Sequence, residues 1–499
     1  MTTPNYMTTP IKRSGALLAA ALLIGTTSTS LAGDVASTDA KSVAQPHIQS
    51  NPLSFWDGRV AFDFEERLRG EVRENNFDFD GRANALTDDN WLLQRARVGV
   101  KLTLTDWLRV YAQGQDSREI GSDRPDFPGS LGAEGDDSFD LRQAWIEIGN
   151  PKEFPLTARI GRQILSYGDE RLVGAFDWNN IARTFDAVKL RWEEKNWWVE
   201  AFASSVVVPE RGSYNQSDVF NGNENDRHQV FSGIYFENNA IVPWQSTDLY
   251  VFHLHENANP KYSQNPLGDT NFFTLGTRWK SKPGAFAPHP TGLAKDGKTV
   301  IEETPRPVGL DYTVEFAFQT GNVRGMDLFA FAGHGDVGYT FDHPWLPRIA
   351  LGYSYATGDD DPGDKDIQTF QNLFPTNHKF YGQMDVFSWQ NMHDLELDTK
   401  IQPFRNVTLR ADFHAFWLET TEDAWYRANG ATTVRPLNEA ARAGGNYAGS
   451  EVDFNVTWAV TRWLELQGGY SHFFAGDYLK ATGPHDDADF GYLQAKLTF

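Results

Sequence analysis

Leu92-Leu93-Gln94-Arg95-Ala96-Arg97-Val98-Gly99-Val100-Lys101-Leu102-Thr103-Leu104 decides the fold. Leu92, Ala96, Val98, Val100, Leu102 and Leu104 fall on one face, interrupted only by Gln94. Leu93, Arg95, Arg97, Gly99, Lys101 and Thr103 fall on the other. A period of two over so long a run is an extended strand with one apolar and one polar side. After Thr105-Asp106-Trp107 the pattern restarts, with Leu108, Val110 and Ala112 opposing Arg109, Tyr111, Gln113 and Gln115. So short a join between two alternating runs reads as an antiparallel hairpin.

The same alternation recurs outward from this hairpin. Val60, Phe62, Phe64, Leu68 and Val72 alternate with Asp63, Glu65, Arg67, Arg69, Glu71 and Arg73, with Glu66 as the exception on the apolar side. Glu and Arg also favour helices, so a helical reading of 59–73 competes; the alternation of its neighbours favours strand. Val188, Leu190 and Trp192 oppose Lys189, Arg191 and Glu193, and Leu409, Ala411, Phe413, Ala415 and Trp417 oppose Arg410, Asp412 and His414. The chain ends on Leu493, Ala495, Leu497 and Phe499 in one register, with Tyr492, Gln494, Lys496 and Thr498 in the other. An amphipathic last strand suits a sheet that must close, because an open edge in lipid leaves backbone groups unpaired at several kcal/mol each.

Composition agrees. The mean hydropathy of -0.50 is that of a soluble chain, whereas 14% aromatic residues suit a membrane protein. A transmembrane barrel reconciles them, since only alternate strand residues face lipid. No cysteine is present among the 499 residues, which excludes disulfides and thiolate chemistry. Lys12 and Arg13, the apolar run Ala16–Ile24, and the small residues Ser30 and Ala32 are laid out as a signal peptide over 1–32. The competing reading, a membrane anchor, needs ~20 apolar residues. Removing Lys12 and Arg13 takes the net charge from -22 to -24, which argues against nucleic acid as a partner. Residues 33–54 read as a flexible lead-in, and 55–499 as a single all-β, antiparallel transmembrane barrel of roughly 16 to 18 strands. The joins 105–107, 402–406 and 460–463 are assigned to the periplasmic side, with Trp107, Phe404 and Trp463 in an aromatic belt. The long joins 116–138, 209–229, 281–308, 357–379 and 419–448, rich in Gly, Asp, Asn and Pro, are assigned to the outer face or to folds into the pore.

Three longer motifs carry a resemblance. The first is Gly161-Arg162-Gln163-Ile164-Leu165-Ser166-Tyr167-Gly168-Asp169, continuing through Arg171-Leu172-Val173-Gly174, Phe176-Asp177-Trp178-Asn179-Asn180 and Arg183-Thr184-Phe185-Asp186-Ala187-Val188. The second runs from Gly358-Asp359-Asp360-Asp361-Pro362-Gly363-Asp364 through Thr369–Gly382 to His393, and the third is Phe474-Ala475-Gly476-Asp477-Tyr478-Leu479. Together they make the chain resemble the alginate export family of outer-membrane barrels from about residue 55 onward. The resemblance implies a barrel in the outer membrane of a Gram-negative cell, in contact with lipid and lipopolysaccharide. It also implies an arginine-lined constriction for an anionic polysaccharide, and periplasmic export partners as an option.

Strand parity turns Arg67, Arg69, Arg95, Arg97, Lys101, Arg109, Arg159, Lys189, Arg191 and Arg410 inward. Arg162 and Arg183 join the candidates from the first motif, although Arg162 breaks the parity of Ala158 and Ile160. Guanidinium groups hold carboxylates with forked donors and stay charged. The plainer reading is bracing of the wall, since Asp63, Glu65 and Glu71 share the face of Arg67 and Arg69. Arg95, Arg97, Lys101 and Arg109 have no acid on their own strand faces and are the stronger substrate candidates. Trp178 either stacks on a sugar or plugs a loop against the wall. Asp359, Asp360, Asp361 and Asp364 form a candidate calcium loop that lacks EF-hand spacing, against a solvated acidic surface. His378, His393 and His472 have no catalytic neighbour, and no nucleotide or zinc-protease motif occurs. The function that follows is passage of an anionic oligo- or polysaccharide without enzyme activity or cofactor. The rivals are a general or nutrient porin, a membrane enzyme, and a plugged structural or adhesive barrel.

Overall fold

The computed structural model describes residues 53–82, 88–122, 136–209, 214–217, 229–257, 268–286, 307–435 and 445–499, plus the backbone of two short strands at 291–293 and 300–302. The signal peptide 1–32 and most of the 33–54 lead-in lie outside the described residues. Eighteen long strands form one closed antiparallel barrel. They are β1 Val60–Glu74, β2 Asp89–Thr105, β3 Leu108–Ile120, β4 Asp137–Ile148, β5 Leu156–Gln163, β6 Phe185–Glu193, β7 Trp197–Val208, β8 Val230–Asn238 and β9 Gln245–Glu256. The second half adds β10 Thr270–Ser281, β11 Gly309–Val323, β12 Met326–Thr340, β13 Arg348–Ala356, β14 Met392–Phe404, β15 Val407–Trp417, β16 Tyr447–Ala459, β17 Leu464–Ala475 and β18 Ala488–Thr498.

Each strand pairs with its neighbours in sequence, and β18 closes on β1 through Thr498 opposite Glu65 down to Asp489 opposite Glu74. Phe499 extends the seam: its N–H donates to Phe64 O at 3.0 Å, and its ring lies 5.1 Å from Trp463 and 6.1 Å from Phe64. Closure leaves no sheet edge in lipid.

Parity is as the alternation requires. Leu68, Val72 and Val98 on the outer surface are 42%, 53% and 52% exposed, whereas Arg67, Arg69 and Arg95 on the same strands are 3%, 0% and 0%. The two polar exceptions on the lipid side answer each other, Gln94 Nε2 donating to Glu66 Oε1 at 2.8 Å. The stretch read as 59–73 is strand, Val60–Glu74, not helix. Tight turns at 106–107, 405–406 and 460–463 share the end at which the chain terminates, the periplasmic end, with Trp107 and Phe404 exposed there and Trp463 half-exposed beside Phe499.

Two assignments of joins are corrected. The chain leaves β10 at Ser281 and enters β11 at Gly309 on that same periplasmic end, so 281–308 belongs there and not to the outer face. Loop composition carries no information about side; only the strand count does. Conversely, the outer join between β11 and β12 is a two-residue turn, Arg324-Gly325, both at positive φ. Residues 116–120, assigned to a loop, complete β3.

Three outer joins fold into the lumen: 164–184, 357–391 and 418–435. They pair with one another through Gly174 N to Phe374 O at 2.8 Å, Phe374 N to Leu172 O at 2.8 Å and Ala428 N to Asp385 O at 3.1 Å. Leu172, Phe374, Tyr381, Trp389 and Trp425 from these joins pack with inward Phe185, Phe231, Phe252, Phe416 and Phe473 into one apolar cluster. A lumen wall that is locally aromatic is thus buried by the chain's own loops rather than left to water.

Candidate functional site

The inward arginines fall into two groups. The first sits at mid-height on β1, β2 and β4. Arg67 and Arg95 are direct cross-strand partners, an unfavourable pairing of like charges unless anions or acceptors compensate. The compensation comes from the 164–184 loop. Arg67 Nη1 donates to Asp177 O at 2.8 Å, Arg69 Nη1 to Trp178 O at 2.8 Å, and Arg95 Nη1 to Asn179 O at 3.1 Å. Ser117 Oγ takes Asn180 O at 2.9 Å and Gln115 Nε2 takes Ile181 O at 2.7 Å, so five consecutive loop carbonyls end on wall donors. Leaving such a carbonyl unpaired when buried costs about 1–3 kcal/mol.

The Asp177 carboxylate joins the same cluster, 2.8 Å from Arg97 Nη1, 3.2 Å from Arg95 Nη2 and 3.8 Å from Arg142 Nη2. Burial alone would push its pKa up, but Arg95, Arg97, Arg142 and Arg67 hold it well below the usual carboxylate range. Glu65 completes the group at 2.6 Å from Arg95 Nη2. Arg95 and Arg97 are therefore taken up by the loop latch and are closed to solvent. The acids and carbonyls that occupy them come from β1 and from a loop about 80 residues away, not from their own strand faces.

Trp178 is held in the same latch. The Arg69 guanidinium lies 3.7 Å from its ring centroid on one side and the His378 ring stacks at 3.9 Å, leaving neither face to a sugar. This is the loop-plug alternative for Trp178. His378 in turn meets Asp385 at 3.0 Å, a loop contact. A second anchor is Asp169, 3.0 Å from Arg278 Nη1 and 2.9 Å from Lys280 Nζ; burial raises its pKa, but these two cations keep it low. Arg183 lies inside the plug, donating to Pro375 O at 2.9 Å, and burial pushes its pKa down to about 10.

Arg162 is not a lumen residue. It shares the outward register of Ile160 and Val188 and is held by Asp186 at 2.9 Å near the outer rim, with Nη1 on Leu141 O at 3.1 Å. The parity break visible in the sequence marks this outward position.

The second group lines the periplasmic half on β2–β7: Lys101, Arg109, Arg159, Lys189 and Arg191. Arg109 pairs with Glu147 at 2.8 Å, and Arg159 binds the same carboxylate. Lys189 and Arg191 share Glu200 at 3.3 and 3.0 Å, and Arg191 also meets Glu193 at 2.8 Å. Lys101 makes no ion pair within 4.0 Å among the described residues and keeps partial exposure. Arg159 and Arg191 lie 4.2 and 4.1 Å above the rings of Trp145 and Trp198. Five cations face three acids on this arc.

Arg410 sits on the opposite arc, with Asp398 at 2.6 Å, Asp412 at 3.0 Å and Glu396 at 3.5 Å. Arg348 there bridges Asp311 and Asp398, both at 2.6 Å. That arc is acidic, a feature the isolated strand patterns did not reveal because its carboxylates come from several strands. In the 359–364 loop, the acids cap local turns, Asp361 Oδ1 accepting Gly363 N at 3.3 Å and Asp364 Oδ1 accepting Asp366 N at 2.7 Å. Groups of three metal-ligating side chains occur elsewhere among the described residues, not at Asp359, Asp360, Asp361 and Asp364.

A closed barrel of this size, with inward-folded outer loops and charged arcs, defines an outer-membrane porin. The chain belongs to the alginate export family, which it matches over residues 59–492. Among solved structures it is similar to three Pseudomonas aeruginosa porins. OpdK with vanillate shares 11% identity at TM-score 0.56, with 88% of this chain and 98% of that one covered. OccK9 (OpdG) shares 12% at TM-score 0.56 over 88% and 98%, and OccK11 (OpdR) 11% at 0.52 over 88% and 96%. No curated protein matches the chain in sequence.

Proposed function

We propose that this porin passes anionic solutes, with an alginate-like oligo- or polysaccharide as the cargo class, and that it works as a conduit and not as an enzyme. The observation that carries the reading is the periplasmic basic arc. Lys101, Arg109, Arg159, Lys189 and Arg191 are spaced over neighbouring strands at one level and are only partly neutralised. Spaced, partly compensated cations attract a polyanion without trapping it. Trp145 and Trp198 beneath the guanidinium groups hold Arg159 and Arg191 in place at the wall. The arginines latched by the 164–184 loop act differently: they fix the inward loop to the wall.

Purified protein in planar bilayers tests this. Oligouronates added to the periplasmic side are expected to block the current, and neutral oligosaccharides of equal length to block it far less. The paired substitutions Lys101→Ala and Arg191→Ala should weaken uronate block. Equal block by neutral and charged sugars would refute the cargo class.

A second reading, passage of small anions, is favoured by one observation: three outer joins enter the lumen and pack against each other. OpdK, of similar fold, was crystallised with vanillate. Current carried by small carboxylates, with no block by oligouronates, would favour this reading over the first.

A further inference from the structure

On the acidic arc, β14, β15 and β16 place two rows of side chains on the lumen face. One row is Glu396, His414 and Glu451, each directly opposite the next, and the adjoining row is Asp398, Asp412 and Asp453. Asp394 adds a further carboxylate, its Oδ1 3.0 Å from His414 Nδ1. The two halves of this cluster are chemically different. Asp398 and Asp412 hold the Arg410 guanidinium at 2.6 and 3.0 Å, so the positive charge they need is already supplied, whereas Glu396 stands between the halves, 3.5 Å from Arg410. Asp394, Glu451 and Asp453 have no Lys or Arg within 4.0 Å among the described residues; His414 meets Asp394 at 3.0 Å and stands 4.0 Å from Asp453.

These acids are deeply buried. Asp394, Glu451 and Asp453 are 0%, 0% and 1% exposed. Asp394 Oδ2 meets no donor, and the Glu451 and Asp453 carboxyl groups meet each other. Asp453 Oδ2 points at His414 Nε2 from 4.0 Å, too long for a hydrogen bond. Buried carboxylate oxygens without donors are costly unless a cation or a proton answers them. Ligand atoms of Asp394, Glu396 and His414 already lie within 4.8 Å of one another. A zinc-like ion sits ~2.0–2.2 Å from each nitrogen or oxygen ligand, which spans up to ~4 Å between ligand atoms.

We propose that Asp394, Glu396 and His414 form a binding site for a divalent transition-metal cation in the lumen wall. Imidazole among carboxylates favours such an ion over calcium, which takes oxygen ligands alone. Glu396 borders the half-exposed Arg410 and gives an approach from the lumen. Glu451 accepts the Met384 amide of the inward 357–391 join at 2.9 Å, so an ion here would fasten the strands that seat the plug.

The test uses the full barrel in detergent, stripped with chelator and titrated with Co2+ and then with competing Zn2+. One tight equivalent with a visible ligand-field band is expected, displaced by Zn2+. Asp394→Asn and His414→Gln should each weaken binding at least ~10-fold, while His472→Gln leaves it unchanged. Heat-modifiable migration confirms that each variant is folded, and the wild-type cobalt spectrum stands independently of the variants. Absence of a stoichiometric site in wild type, or binding that survives both substitutions, would overturn the proposal and leave protons shared among the carboxylates. Neither outcome bears on uronate block, so this site and the cargo reading fail separately.

Discussion

Asp177→Asn isolates the latch, because it keeps the side chain's shape while removing its charge and one of the two acceptor oxygens that meet Arg95 and Arg97. In the folded barrel that charge faces Arg97, Arg95 and Arg142 at 2.8, 3.2 and 3.8 Å. Removing one partner of a fully buried ion pair costs ~3–5 kcal/mol. The Asp177 side chain is 46% exposed, so solvent screening reduces this to about 1–2 kcal/mol. The five loop carbonyls keep their wall donors, so the loop stays docked but opens more often, by roughly tenfold for each ~1.4 kcal/mol. Hydrogen exchange read by mass spectrometry should show ~10-fold faster exchange across 176–182 and no change in the strands. The same variant should shift bilayer selectivity further toward anions, since the arginine cluster loses its nearest loop acid. Unchanged exchange in 176–182 together with unchanged selectivity would refute the idea that Asp177 latches the loop to the arginines.

Trp178→Ala removes the ring between Arg69 and His378, a loss of ~1–2 kcal/mol of cation–π and stacking contact; limited trypsinolysis should then cut faster at Arg183. Asp359, pushed up to about 6 mainly by burial and then by Asp423, Asp364 and Asp360, holds its proton more tightly when the 357–391 join is docked. Docking is therefore strongest below the ordinary carboxylate range and weakens as pH rises through about 6; exchange protection of that join should increase on acidification from neutrality, and Asp359→Asn should abolish the change. Deleting Phe499 removes the backbone bonds to Phe64 and the ring contact with Trp463. Two unpaired backbone groups at the lipid seam cost several kcal/mol each, so the fraction of heat-modifiable, folded barrel should fall sharply.

The wall was legible in the sequence and the plug was not, for physical reasons. Alternation along 92–104 reports directly which side chains meet lipid, because lipid accepts no unpaired charge, and the Leu493–Phe499 register announced closure in the same way. The inward aim of Arg95 and Arg97 followed from parity. What meets them did not: Glu65 arrives from the neighbouring strand, and Asp177 from a loop whose path no periodicity encodes. Arg162 carried a usable signal, its parity break, and the structure gives that break its ordinary meaning. The side of 281–308 was misassigned because Gly- and Pro-rich loops look alike at both ends of a barrel. The acidic arc at Asp394, Glu396 and Asp453 was invisible for a related reason, since it forms only when β14, β15 and β16 align in register.

The most direct test of the account is the reversal potential of the reconstituted barrel in a planar bilayer under a salt gradient. A partly neutralised basic arc at the periplasmic half predicts preference for anions, diminished by Lys101→Glu. A barrel that prefers cations, dominated by the opposite acidic arc, would contradict the central claim.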